Sequence, residues 1–287
     1  MAVPERLTRP FETLIERMVS VGFVSSGVIL AAQTFLALTP LLMAVTAWLP
    51  QEAAAGVQES LRERFGLSGS TDEAVTQLVN NRDQLRGGLT VFGTIFVLAS
   101  ATSFTRALQR VYELAWGLPR LGIRGSVRGL MWLAGLVGYV ALLSVAVSLA
   151  GAGTSGTVLR TVVVTMGAVL LWWWTPYILL DGRVRARALL PGGILTAAAM
   201  LTVGLIGSVL LPRSVRSNER QFGTIGVVFA IESWLVVVAC VLVGTAVVAA
   251  VAAQAGGPLG RLWRGSADVA GWRTAKAVDP AKDPGQS

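Results

Sequence analysis

Long apolar stretches with at most one charged residue each, separated by charged segments, dominate the pattern of this chain. They lie at about residues 25–49, 87–105, 129–152, 161–180, 188–212 and 221–250. Each is close to or longer than the roughly 20 apolar residues with which a helix crosses the hydrocarbon core of a bilayer. The pattern therefore predicts an all-α polytopic membrane protein, with six transmembrane helices in a bundle over residues 23–255.

The segments outside the predicted spans have patterns of their own. In residues 1–22, apolar residues from Phe11 to Met18 follow helical spacing, which predicts an amphipathic helix on the cytoplasmic surface or a helical extension of the first span. Residues 50–86 combine an apolar stripe with a capping box from Ser70 to Glu73, which predicts an external helical hairpin between the first two spans. The polar tail, 256–287, is predicted to be disordered.

Composition supports a membrane protein and changes the interpretation of the net charge. Hydrophobic residues make up 53% and charged residues 14% of the chain, against about 25% charged in soluble domains. The 24 Lys and Arg outnumber the 16 Asp and Glu. About twice as many Lys and Arg fall in the N-terminus, second loop, fourth loop and tail as in the other loops. Both termini are therefore predicted to be cytoplasmic, and nucleic acid is not expected as a partner.

Cysteine and histidine usage excludes several kinds of chemistry. Cys240 is the single cysteine, and the chain has no histidine. An intrachain disulfide, a Ser-His-Asp triad and His- or Cys-based metal motifs are therefore excluded. We expect no enzymatic activity, no catalytic residues, no metal and no cofactor.

Two polar side chains inside the predicted spans form a candidate intramembrane site. Glu232 is the single Asp, Glu, Lys or Arg between residues 221 and 260, and Gln33 lies in the first span. An ionised carboxylate at mid-membrane costs roughly 2.5–3.5 kcal/mol on insertion scales, so Glu232 needs a partner, a water-filled cavity or a proton. Glu232 either couples transport to protons or holds a cationic group, or it pairs with Gln33, a Ser or a Thr and fixes packing.

A second candidate site follows the second span, at the cytoplasmic interface. Arg106, Gln109, Arg110 and Glu113 fall on one helical side, where either arginine could pair with Glu113 or face lipid phosphates.

Prolines and glycines mark expected features of the helix backbones. Kinks are expected at Pro40 and Pro176. Close helix packing is expected at Gly192, Gly223 and Gly226. Such small-residue faces serve packing within the chain and would also serve a homo-oligomer.

Several stretches together resemble one family. They are residues 35–42 (FLALTPLL), 107–109 (ALQ) with Trp116-Gly117, 190–192 (LPG), and 222–226 (FGTIG) with Trp234. In order and spacing, residues 11–255 resemble the YihY/BrkB family of bacterial inner-membrane proteins, with its YhjD-like branch nearest. The resemblance implies six spans in the bacterial plasma membrane. It brings no catalytic residues, and Gln33, Glu113 and Glu232 depart from the usual family pattern.

The resemblance implies a transport function, and two other functions are alternatives to it. The YhjD-like branch is regarded as exporters or flippases of lipopolysaccharide-type lipids, so membrane lipids are the expected partners. A non-transporting scaffold or envelope-assembly protein is the alternative. The family's older label of ribonuclease BN is disfavoured, because phosphodiester hydrolysis generally needs paired carboxylates with metals or a His or Lys acid–base set.

Overall fold

The computed structural model describes residues 5–48, 91–149 and 154–254, which contain helices and turns and no strand. The helices are α1 (Glu5–Val21), α2 (Phe23–Trp48), α3 (Val91–Trp116), α4 (Ile123–Leu149), α5 (Thr154–Leu179) and α6 (Ala186–Gln254). The all-α prediction is confirmed. The predicted external hairpin at 50–86 and the tail at 256–287 lie outside the described residues.

The N-terminal helix is bent away from the helix that follows it. α1 and α2 meet at an angle of 44°, and Gly22 between them has φ of 61°. This left-handed conformation costs glycine little, because it has no Cβ. The predicted amphipathic segment is therefore a helix bent away from α2, and not a straight extension of it.

The longest helix, α6, is a hairpin of two arms. Its first arm (186–222) and second arm (224–254) are separated by Gly223, with φ of 61° and ψ of −146°. A Cβ on Gly192 would lie 2.7 Å from that of Ala249, and one on Gly207 would lie 2.5 Å from the ring of Trp234. In both pairs the residue of the first arm lies five residues further from Gly223 than its partner, and this constant offset shows that the two arms run antiparallel along their length.

The turn between the two arms differs in place from the sequence prediction. The charged segment at 213–220, between the last two apolar stretches, resembles a short polar loop in the sequence, whereas the structure has it helical, with the break at Gly223. Arginine is a good helix former, and a glycine at positive φ reverses the chain without a loop. The proline-containing helices also remain continuous, α2 through Pro40 and α5 through Pro176, which lies in its last turn.

Three described helices are long and apolar enough to cross a membrane. They contain the segments Arg124–Val147, Ser155–Leu179 and Ala186–Gln254, and α1 with α2 makes a fourth if that bent pair is one span. Because α6 folds back at Gly223, it passes the bundle twice. The count of six spans stays a prediction.

The main hydrophobic core lies toward one end of the bundle. We name this the closed end and define it by the buried residues Val21, Trp116, Leu180 and Ala253, from four separate parts of the chain. There Arg17 donates from NH2 to Gln254 Oε1 at 3.3 Å, which ties α1 to the last turn of α6. The opposite end, at Gly223, is the open end.

Candidate functional site

The second arm of α6 shows where the packed core ends. Val243, Ala239, Glu232, Val228 and Ile225 share one helix face, within about 60° of each other on a helical wheel. Val243 and Ala239 are 0% and 4% exposed, whereas Val228 and Ile225 are 42% and 66% exposed. The face that forms the core at the closed end is therefore uncovered beyond Glu232.

The inner faces of neighbouring helices open in the same direction. In α3, Thr105 and Ala101 are buried, and Leu98 on the same face is 49% exposed. In α5, Leu179 is buried and Thr161, on the same face toward the open end, is exposed. We name these exposed residues, Leu98, Thr161, Val228 and Ile225, the vestibule; on the second arm it begins beyond the half-buried Glu232.

Glu232 has a half-buried side chain whose Oε2 is buried without a hydrogen-bond partner. Gln33 lies at about the same height, because α2 runs antiparallel to the second arm and its Gly27 faces Cys240. However, Gln33 Oε1 accepts a hydrogen bond from Ser103 Oγ at 2.5 Å. Within the described part of the chain, no hydrogen bond joins Glu232 to Gln33, and Glu232 Oε2 is buried without a hydrogen-bond donor.

At the closed end, four donors surround a second carboxylate, that of Glu113, which is 3% exposed. Its Oε1 accepts hydrogen bonds from Leu121 N at 3.0 Å, Gln109 Nε2 at 3.2 Å and Arg183 NH2 at 3.3 Å. Arg110 NH1 lies 3.7 Å from Oε2. We name these residues the Glu113 cluster. A buried charge with this number of charged and neutral donors is a well-satisfied one.

The Glu113 cluster fastens two turns to each other. Arg183, in the α5–α6 turn, also donates to Pro119 O at 2.7 Å in the α3–α4 turn and to Leu180 O at 3.0 Å. Arg128 at the start of α4 forms an ion pair with Asp181, which has φ of 57°. These contacts hold the closed end together.

Three of the four residues predicted at this interface meet in the cluster. Gln109, Arg110 and Glu113 do, whereas Arg106 is exposed and takes no part in it. Sequence analysis missed Arg183, the cation closest to Glu113. The sequence shows Arg183 only as a basic residue in a short turn between spans. The positive-inside rule explains such a residue without any contact to Glu113.

The predicted packing glycines fall into two groups. Gly192 contacts Ala249, and a Cβ on Gly226 would lie 2.1 Å from the backbone oxygen of Asn218. Gly223, by contrast, has open space around its Cβ position and acts as the turn residue. Its role is reversal of the chain and not the close packing that was expected.

A small cavity lies between α3, α5 and α6. It is lined in part by Tyr112, Trp172, Pro176, Gly192 and Thr196. It has room for about one water-sized sphere, so it is too small for a lipid headgroup.

Comparison with known proteins gives one match. The family model for virulence factor BrkB matches residues 15–268, which include α2 to α6, the vestibule and the Glu113 cluster. No curated protein and no solved structure matches the sequence. With the match extending over most of the chain, and with apolar helices long enough to cross a bilayer, this protein belongs to the virulence factor BrkB (YihY) family of membrane proteins.

Proposed function

We propose that this protein moves a lipid or a similar amphiphile across the bacterial inner membrane, with the vestibule as the path for its headgroup. One observation carries the proposal. The core-forming face of the second arm becomes exposed beyond Glu232, whose Oε2 is buried without a hydrogen-bond partner among the described residues. A polar acceptor beside an otherwise apolar opening is the feature that a headgroup needs inside a bilayer.

The chemistry of the two ends supports this role. A headgroup that enters hydrocarbon loses its water, and each unsatisfied polar group then costs several kcal/mol. The Glu232 carboxyl would accept a hydrogen bond from an ammonium or hydroxyl group of the headgroup and offset part of that cost.

The closed end blocks passage, so transport requires the turns held by the Glu113 cluster to separate. No bond is broken in this process, and we infer that the protein is not an enzyme.

The distribution of basic residues supports an orientation. Arg17, Arg128 and Arg183 lie at the closed end, together with the first and last described turns. By the positive-inside rule this end faces the cytoplasm. The vestibule then opens toward the outer leaflet.

Replacing Glu232 by Gln should slow lipid translocation about tenfold or more, since a hydrogen bond to a charged acceptor contributes about 1.5–3 kcal/mol. The measurement uses proteoliposomes that contain phosphatidylethanolamine with a fluorescent acyl chain, and a membrane-impermeant quencher reports the outer-leaflet fraction. Ser233→Ala is the control, because Ser233 is exposed and adjacent in sequence but turned about 100° away. Its rate should equal that of the wild type.

Two results would count against this proposal. An unchanged rate in Glu232→Gln would remove this carboxyl from the path. A wild-type rate equal to that of protein-free liposomes would remove transport of this lipid and favour the alternative of a membrane scaffold or envelope-assembly protein.

A further inference from the structure

Three arginines near the open end share one face of the first arm of α6. Arg213, Arg216 and Arg220 follow i, i+3, i+7 spacing, which places them within about 60° on the helix. All three are exposed, and none takes part in an ion pair within the described residues. We name these three residues the arginine face.

The arginine face points away from the bundle. Leu211 and Val215 are buried against the second arm, on the side of the helix opposite Arg213. Toward the closed end, the side that carries the arginines continues as exposed apolar residues, which include Leu195, Ile206 and Val209. The outer surface of the first arm is thus apolar along the span and basic near its tip, a pattern that matches the acyl chains and headgroup of a lipid.

The length of the first arm places the arginines at headgroup depth. Arg213 lies roughly 37 Å along the helix from Ala188, at 1.5 Å per residue. The hydrocarbon core is about 30 Å thick, and the bilayer with its headgroups about 40–45 Å. With Ala188 at the hydrocarbon boundary of the closed end, Arg213 lies at the outer edge of the opposite headgroup layer, and the long side chains of Arg216 and Arg220, up to about 10 Å further along the helix, have to bend back to reach it.

The positive-inside rule does not account for these arginines. It explains basic residues at the closed end, such as Arg128 and Arg183, whereas the arginine face lies at the other end of α6. Three exposed guanidinium groups, about 4.5 and 6 Å apart along the helix axis, present paired donors to phosphate oxygens.

We propose that the arginine face binds the phosphate headgroup of an anionic phospholipid in the leaflet at the open end, with the acyl chains on Leu195, Ile206 and Val209. This surface lies on the perimeter of the protein and not in the vestibule. The inference therefore does not depend on the proposed transport.

The test compares the association of spin-labelled phosphatidylglycerol and spin-labelled phosphatidylcholine with the full chain reconstituted in phosphatidylcholine bilayers. The wild type should prefer phosphatidylglycerol by at least about fivefold at low ionic strength, with less preference in high salt. The variant with Arg213→Gln, Arg216→Gln and Arg220→Gln should lose this preference. The matched variant with three Arg→Lys changes keeps the charges and should retain most of it.

Three outcomes would overturn the inference. The wild type could show no preference for phosphatidylglycerol, or the Gln variant could keep it. In the third outcome, the Gln variant unfolds at a lower temperature than the wild type, and the difference is the same with and without phosphatidylglycerol. The arginines would then hold another part of this chain, such as the acid-rich residues 49–90, and not a lipid. Because lipid association is measured without transport, failure here leaves the proposed function standing.

Discussion

Glu113→Ala should lower the free energy of unfolding by about 3–5 kcal/mol, the range for breaking a buried ion pair by removing one partner. Glu113 is 3% exposed, and its Oε1 accepts from Leu121 N, Gln109 Nε2 and Arg183 NH2. Without the carboxylate, the Arg183 guanidinium keeps its charge in a side chain that is 23% exposed, and the Leu121 N–H loses its acceptor. The penalty therefore comes mainly from the donors that are left behind.

The loss can be measured as a shift of the unfolding temperature in detergent, with a thiol-reactive dye that reports exposure of Cys240. About 2–4 °C per kcal/mol is typical for chains of 150–250 residues, so a decrease of roughly 6 °C or more is expected. Arg110→Gln is the control, because Arg110 is 36% exposed and 3.7 Å from Glu113, a pair for which about 1 kcal/mol or less is expected. Equal shifts for the two variants would contradict the assignment of Glu113 as the centre of the cluster.

The Glu113–Arg183 contact can be isolated from the rest of the cluster. If the two side chains stabilise each other, Glu113→Gln and Arg183→Gln combined should cost less than the sum of the single changes, by about 0.5–3 kcal/mol.

Gly226→Ala should destabilise the α6 hairpin by about 3 kcal/mol, at the upper end of the range for overpacking. The new Cβ would lie 2.1 Å from Asn218 O, and a backbone atom cannot move aside unless the two arms separate. This clash outweighs the advantage of about 1 kcal/mol that alanine has over glycine inside a helix.

Gly204→Ala is the matched control in the same helix. Nothing lies within 4 Å of its Cβ position, so only the helix propensity should act, and this variant should unfold at the same temperature as the wild type or a higher one. Thermal unfolding of both variants in the same detergent checks the prediction. A Gly226→Ala variant as stable as Gly204→Ala would show that the arms are not in close contact near their tip.

Helical spacing was sufficient to find most of the Glu113 cluster but not Arg183, the cation closest to Glu113. Gln109, Arg110 and Glu113 are neighbours within one helix, so their common side follows from 3.6 residues per turn. Arg183 is 70 residues further along the chain. Its contact with Glu113 depends on how α3 and α5 pack, which the pattern of one helix does not contain.

The tip of the hairpin shows a different reason for a wrong prediction. The polar residues from Arg213 to Arg220 resemble a loop because the apolar pattern stops there. An apolar pattern is expected to stop where a bilayer ends, whereas the helix itself continues to Gly223. Hydropathy reports the surroundings of a residue, and backbone conformation is set here by the glycine.

The vestibule could not be predicted from the apolar pattern for a similar reason. Side chains such as Val243 and Ile225 are both apolar, although one lies in the core and the other is exposed. In a bilayer, a helix face that contacts lipid and one that contacts another helix have similar hydrophobicity. Only the arrangement of the helices separates them.

The contact between α2 and the second arm of α6 sets the order in which the protein can assemble. Gly27 packs against Cys240, and Arg17 bonds to Gln254, 237 residues later in the chain. At a synthesis rate of 5–20 residues per second, roughly 10–50 s pass between the appearance of these partners. Throughout that interval the nascent chain holds α2 in the membrane without its final neighbour. A ribosome that stops before residue 240 therefore leaves a chain with an unfinished core.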